Sequence, residues 1–173
     1  MKLLILFFPC FTFASIRVAF LEMKNVQGET VQLEAGGQFV HVAISYKDRW
    51  LHAYPPKGVE EITSEELEKI GRIKVILNRS DADPLTEKQV RKFLGKPYDW
   101  SFSWGNESIY CAELVGKLLN IEPLPMTFSS AFWPPIYRRI DGLGLSPDDL
   151  FKLLPSRGFE KTPGGGSCKV VFQ

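Results

Sequence analysis

Cysteine and histidine, the residue types of a thiol nucleophile and its base, are rare in this 173-residue chain, with three cysteines and two histidines. Cys111 lies in the middle of the chain, in GNESIYCAELVGKLL. The only two histidines, His41 and His52, lie together in FVHVAISYKDRWLHAYPP. A thiol becomes a strong nucleophile when a base takes its proton, and histidine is the usual base near neutral pH. The three residues therefore define a candidate site in which a histidine could activate the Cys111 thiol as a nucleophile.

The stretch around Cys111 has the pattern of a short amphipathic helix. Its apolar face consists of Cys111, Leu114, Val115, Leu118 and Leu119. Ser108 is a good N-cap residue, which predicts that Cys111 lies in the first turn, where backbone N–H groups favour a thiolate. On the helix pattern alone, a cysteine on an apolar face is more typical of a buried structural residue than of a nucleophile. The helix alone leaves both interpretations open.

The histidine-bearing stretch predicts a β-hairpin. If the turn is the two-residue loop Lys47-Asp48, Tyr46 pairs with Arg49, and His41 and His52 become diagonal neighbours on one face. A three-residue loop would place the histidines on opposite faces. We favour the two-residue loop because it also keeps the apolar residues of the hairpin together. These residues are Val42, Ile44, Leu51 and Ala53.

Zinc binding is the competing use of one cysteine and two histidines. Three ligands could form an open catalytic site, but the sequence has no fourth cysteine and no H-x-x-x-H pair. We therefore expect no metal and no other cofactor. The net charge is +1 without a cluster of Lys and Arg, which argues against nucleic acid as a partner.

The first residues, MKLLILFFPCFTFAS, have the layout of a secretory signal peptide, with a buried first strand as the alternative. Residues 1–15 are the expected leader and residues 16–173 a single domain, so we expect a secreted or periplasmic protein. Removal of the leader would leave Cys111 and Cys168, which an exported protein could pair. A buried or reactive Cys111 is the favoured interpretation, because a cysteine on a helix face is usually buried or reactive rather than bridged to a tail such as the one that carries Cys168.

The remaining patterns are those of a loop-rich α+β domain, with 12 prolines and 14 glycines. SIRVAFLEM and TVQLEA each predict a strand, as does RIKVILN. Ser146-Pro147 predicts the start of a last helix. Residues 121–139 are rich in proline and aromatic residues, which is typical of a loop over the core or of a wall beside a site.

Two motifs resemble a known family. PYDWSF followed by YCAELV is similar to the PYxWG…DCSGLV signature of NlpC-type papain-like cysteine peptidases. In this chain the histidine motif FVHVAI precedes the cysteine. That order resembles the permuted papain-like amidases of the YaeF/YiiX type and the lecithin–retinol acyltransferase group. The resemblance covers roughly residues 16 to 120, including WLHAYPPKGV. It implies an α+β papain-like fold, with an antiparallel sheet packed against the cysteine-bearing helix.

The resemblance also implies a role for each site residue. Cys111 would be the nucleophile, His41 the general base and His52 the residue that orients the imidazole, at a position where many relatives carry Glu. Tyr98 would line the substrate site, whereas the neighbouring Asp99 is more typical of a turn or cap residue. Such a site implies a thiol pKa well below the free value of about 8.5. We expect the sulfur about 4 Å from one His41 nitrogen, with His52 facing the other.

The implied function is a cysteine hydrolase that acts on amide bonds, with cell-wall peptides as substrates if the protein is exported. An acyltransferase or thioesterase acting on lipid-like acyl groups is the alternative, and a catalytically silent binding domain is a third interpretation. The expected partners are a peptide, amide or acyl-lipid substrate, with contact to the cell wall or a membrane surface.

Overall fold

The computed structural model describes residues 15–34, 36–126 and 142–162. Six strands form its main sheet, and every neighbouring pair is antiparallel. They are β1 (Ile16–Glu22), β2 (His41–Tyr46), β3 (Arg49–Tyr54), β4 (Gly58–Ile62), β5 (Arg72–Arg79) and β8 (Glu160–Lys161), in the spatial order β4-β3-β2-β1-β5-β8. A separate hairpin pairs β6 (Leu124–Met126) with β7 (Gly142–Gly144). The predicted α+β class is confirmed.

Four short helices accompany the sheet in the described part of the chain. They are α1 (Ser64–Ile70), α2 (Glu87–Arg91), α3 (Cys111–Leu118) and α4 (Pro147–Leu153), the last continuing into a 3₁₀ turn at Leu154–Arg157. Thr63, Thr86 and Ser146 begin three of them with capping boxes, because each side chain accepts from an N–H of the first turn. The predicted start of the last helix at Ser146-Pro147 is confirmed.

Helix α3 packs against β2 and β3, as the sequence predicts. Leu114, Val115 and Leu118 of the helix lie in the main core with residues of both strands, and each is buried. Burying a side chain of this size stabilises the fold by about 1.5–3 kcal/mol. Helix α1 covers the opposite face of the sheet, where Leu67 joins a smaller apolar cluster. The cysteine-bearing helix is therefore fixed against the histidine-bearing strands.

The β2–β3 hairpin has the predicted two-residue turn. Tyr46 pairs with Arg49 and Ile44 with Leu51, so Lys47 and Asp48 form the loop. Lys47 adopts a φ of 54°, in the left-handed region. This register brings His41 and His52 to the same side of the sheet, and the prediction is confirmed.

Two local predictions are wrong. TVQLEA does not form a strand: the 24–30 turn has a single bridge between Lys24 and Thr30, and one further backbone bond joins Val31 to Met23. Helix α3 begins at Cys111 with Tyr110 as its N-cap, so Ser108 is not the cap. The helix starts later because Ile109 bonds to the 97–99 segment, donating to the carbonyl of Pro97 at 2.9 Å.

Several predicted features lie outside the described residues. These are the leader up to residue 14, most of the 121–139 segment, and Cys168. In the described part of the chain, none of the helices has the length and apolar character needed to span a membrane.

Candidate active site

The two histidines form a buried pair at the β2–β3 edge of the site. His41 Nε2 lies 3.0 Å from His52 Nδ1, and the rings meet nearly at right angles, at 83°. Their exposed fractions are 2% and 1%. Tyr54 packs edge-on against His41 and stacks parallel to His52. The expected contact between one His41 nitrogen and His52 is therefore confirmed.

Burial keeps both imidazoles neutral near pH 7. It lowers the pKa of His41 well below its usual 6.5, and the proximity of His52 lowers it further. Burial also lowers the pKa of His52, against the opposing pull of the Glu60 carboxylate. A neutral His41 is a competent base, because one ring nitrogen keeps its lone pair.

Cys111 is the first residue of α3 and is only 4% exposed. The expectation of a strongly lowered thiol pKa is wrong: burial raises the pKa of Cys111 to about 11, although backbone groups of Val42 and Ala112 oppose the shift. The reason is that the desolvation of a thiolate outweighs the stabilisation offered by the helix start. The resting site therefore contains a neutral thiol and a neutral imidazole.

Cys111 and His41 border one cavity of about 180 Å³. Among the described residues, no hydrogen bond joins the thiol to the ring, and the predicted separation of about 4 Å stays a prediction. Catalytic hydrogen bonds are often long in unliganded sites. The cavity between the two groups is where a substrate carbonyl would have to bind.

Tyr98 lies in the same cavity wall, as predicted. Burial raises the pKa of Tyr98 well above 10, and the next contribution comes from Cys111, which indicates that the two side chains are close. The neighbouring Asp99 plays the structural role expected of it. Its carboxylate accepts bonds from the N–H and hydroxyl groups of Ser101 and Ser103, at 2.6–2.8 Å.

The rest of the cavity wall is mainly apolar, and none of the described residues that line it carries a carboxylate or ammonium group. Most of its apolar residues come from three regions: the 23–33 segment, the Tyr98 loop and the start of α4. The apolar lining residues include Met23, Val31, Leu33, Trp100, Phe102 and Leu145. A pocket of this kind favours an uncharged, hydrocarbon-rich group.

Glu113 is a buried carboxylate that the sequence analysis missed. It is fully buried and accepts from the N–H groups of Gly105, at 2.9 Å, and Tyr110, at 3.3 Å. Lys117 neutralises it at 2.8 Å. Burial raises the pKa of Glu113, against the effect of Lys117. Glu113 thereby ties the preceding loop to the helix that presents Cys111; its spacing, two residues after the cysteine, is the only sequence signal.

Together, the helix bearing a buried cysteine and the antiparallel strands bearing paired histidines define a papain-like fold in permuted order. The sequence model of the family of permuted papain-like amidase enzymes (YaeF/YiiX, C92 family) matches residues 17–131, and the chain belongs to this family. The resemblance inferred from the motifs is confirmed.

Two individual relatives are also similar to this chain. A 28-residue stretch is 54% identical to the uncharacterized protein YiiX of Escherichia coli strain K12, and it covers 16% of this chain and 14% of that protein. The crystal structure of the metalloprotein yiiX from Escherichia coli O157:H7 matches with a TM-score of 0.60. The match covers 87% of this chain and 96% of that one at 18% identity, so it shows a shared fold.

The potential metal ligands in the described part of the chain do not form a site for a resident metal ion. No group of three or more His, Cys, Asp or Glu side chains is arranged to hold one there. One ring nitrogen of His41 and one of His52 are engaged in the contact between the two rings.

Proposed function

We propose that this protein is a cysteine amidase that works by acyl transfer, with Cys111 as nucleophile, His41 as general base and His52 as the residue that orients the base. The observation that carries the proposal is the contact of His52, at 3.0 Å, with His41, which borders the same cavity as Cys111. Family membership supports the amide-cleaving class.

The neutral resting state sets the order of proton transfers. Nδ1 of His41 takes the thiol proton as the Cys111 sulfur attacks the substrate carbonyl. The oxyanion is stabilised by the N–H of Cys111, which has no partner within the helix because it is the first helical residue. His41 then returns the proton to the leaving amine, and a thioester remains. Water, activated by His41, attacks the thioester and releases the acid.

The cavity supports an apolar acyl group on the substrate. Among the residues that the structure describes, its wall has no charged side chain that would pair with the charges of a peptide. This observation favours the second candidate function, a thioesterase or acyltransferase on lipid-like acyl groups, through the same thioester. The cell-wall peptide proposal requires that the charged parts of the substrate stay outside the cavity.

The proposal includes export of the protein from the cytoplasm. The leader-like segment MKLLILFFPCFTFAS supports export, which would place the site beside the cell wall or a membrane surface.

A substrate panel tests the proposed function. Amides, esters and thioesters of acetyl, hexanoyl and dodecanoyl groups are compared with a charged peptide, using the wild-type protein, Cys111→Ser and the matched control Cys168→Ser. We expect turnover that increases with acyl length, is lost in Cys111→Ser and is unchanged in Cys168→Ser. Release of amine identifies an amidase, and release of thiol or alcohol alone identifies the second candidate. Absence of turnover on every substrate would support the silent binding domain instead.

A further inference from the structure

Glu60 lies directly opposite His52 in the β3–β4 pair. Its Oε1 atom is 3.6 Å from Nε2 of His52. That nitrogen is buried, and within the described ranges it has no hydrogen-bond partner. A separation of 3.6 Å is longer than a hydrogen bond. The Glu60 side chain is 28% exposed, so it has room to move closer.

Other charged groups around His52 do not compete for this nitrogen. Lys57 binds the second oxygen of Glu60 at 3.0 Å, which holds the carboxylate beside the ring. Glu66 acts on His52 from a greater distance, as a minor electrostatic contribution. His41 occupies the opposite nitrogen, Nδ1. Glu60 is therefore the one carboxylate within 4 Å of Nε2 of His52 in the described part of the chain.

We propose that Glu60 is a positioning residue that sets the tautomers of both histidines. A carboxylate only accepts hydrogen bonds, so it favours a proton on Nε2 of His52. His52 Nδ1 then carries a lone pair and accepts from Nε2–H of His41. As a result, Nδ1 of His41 carries the free lone pair that a base for Cys111 requires. The opposite chain of tautomers would place a proton on Nδ1 of His41 and disable it.

The catalytic consequence rests on the proposed function, but the tautomers can be measured without a substrate. The chain has only two histidines, so nitrogen-15 spectra of labelled protein contain only two imidazole rings. Nitrogens with and without a proton resonate in well-separated regions, and each ring is assigned by correlation to its backbone. We expect Nε2–H and bare Nδ1 on both rings at pH 7.5.

The test variant is Glu60→Gln, which keeps the shape and removes the charge. Lys57 attracts the amide oxygen, so the NH₂ group faces His52 and favours the other tautomer. We expect Nε2–H of His52 to change from the dominant form to a minor one. Glu61→Gln is the matched control, because Glu61 follows in the same strand, pairs with Leu51 and does not contact His52. A spectrum of Glu60→Gln identical to that of the wild type would overturn the proposal.

Activity provides the second arm of the test. We expect kcat to fall about tenfold in Glu60→Gln, as for other residues that act through a histidine, with KM unchanged within about twofold. Glu61→Gln should match the wild type. Changed tautomers with an unchanged kcat would overturn the positioning role. A protein inactive on every substrate would refute the proposed function, while the tautomer arm would still decide whether Glu60 sets the protonation pattern.

Discussion

The protonation state of Cys111 gives the sharpest quantitative prediction. With a pKa of about 11, only about one thiol in 10,000 is a thiolate at pH 7, against about 3% for a free thiol of pKa about 8.5. The more basic thiolate is intrinsically more nucleophilic, which raises the reaction rate of each thiolate roughly tenfold. We therefore expect iodoacetamide to modify Cys111 about 30 times more slowly than in the urea-unfolded chain, and more slowly still if burial restricts access.

The assay follows the peptide that contains Cys111 by mass spectrometry, which separates it from Cys10 and Cys168. The rate should increase about tenfold for each pH unit between 6 and 9, because it follows the thiolate fraction. The urea-unfolded protein is the internal reference. A rate that is constant from pH 6 to 8 would refute the reasoning, since it would show a preformed thiolate–imidazolium pair.

Three further predictions concern the surroundings of the site. Gly58→Ala should destabilise the fold by more than about 2 kcal/mol in urea titrations, because the new Cβ would lie 2.0 Å from a backbone carbonyl oxygen at a φ of +81°. Gly95 has the same φ but open space around it, so Gly95→Ala should cost only about 1–2 kcal/mol. Equal costs for the two variants would contradict the clash at Gly58. Glu113→Ala should cost about 3–5 kcal/mol, because it removes the buried ion-pair partner of Lys117 and leaves the N–H groups of Gly105 and Tyr110 without their acceptor. The exposed Glu107→Ala should cost less than about 0.5 kcal/mol, and similar values for the two variants would show that the buried carboxylate does not stabilise the loop. The acid limb of kcat/KM should lie well below pH 6.5, because the lowered pKa of His41 keeps the base neutral as the pH falls; a midpoint at or above 6.5 would contradict this assignment.

The hairpin register was predictable because one local choice decides it. A two-residue turn keeps the apolar faces of both strands together, and a one-residue shift would have exposed them. The structure pairs Tyr46 with Arg49 accordingly, so His41 and His52 meet. The packing of α3 on these strands followed from the spacing of its apolar residues and from the family resemblance.

The errors arose where long-range contacts decide local structure. Ser108 is a good cap by residue type, but the bond between Ile109 and Pro97 keeps that segment extended. The thiol pKa depends on how deeply Cys111 is buried, and residue types do not report burial. The sequence did not indicate Glu60, because its proposed role depends on its pairing with His52 across two strands, eight residues earlier in the chain.

The most direct test of the central claim is to trap the acyl group on the enzyme. Wild-type protein and His41→Ala are mixed with an activated dodecanoyl ester, quenched in acid and analysed as intact protein and as peptides. We predict a dodecanoyl thioester on Cys111 that hydroxylamine removes, formed at least about 100-fold more slowly in His41→Ala. An acyl group on another residue, or equal turnover in wild-type protein and Cys111→Ala, would contradict the account.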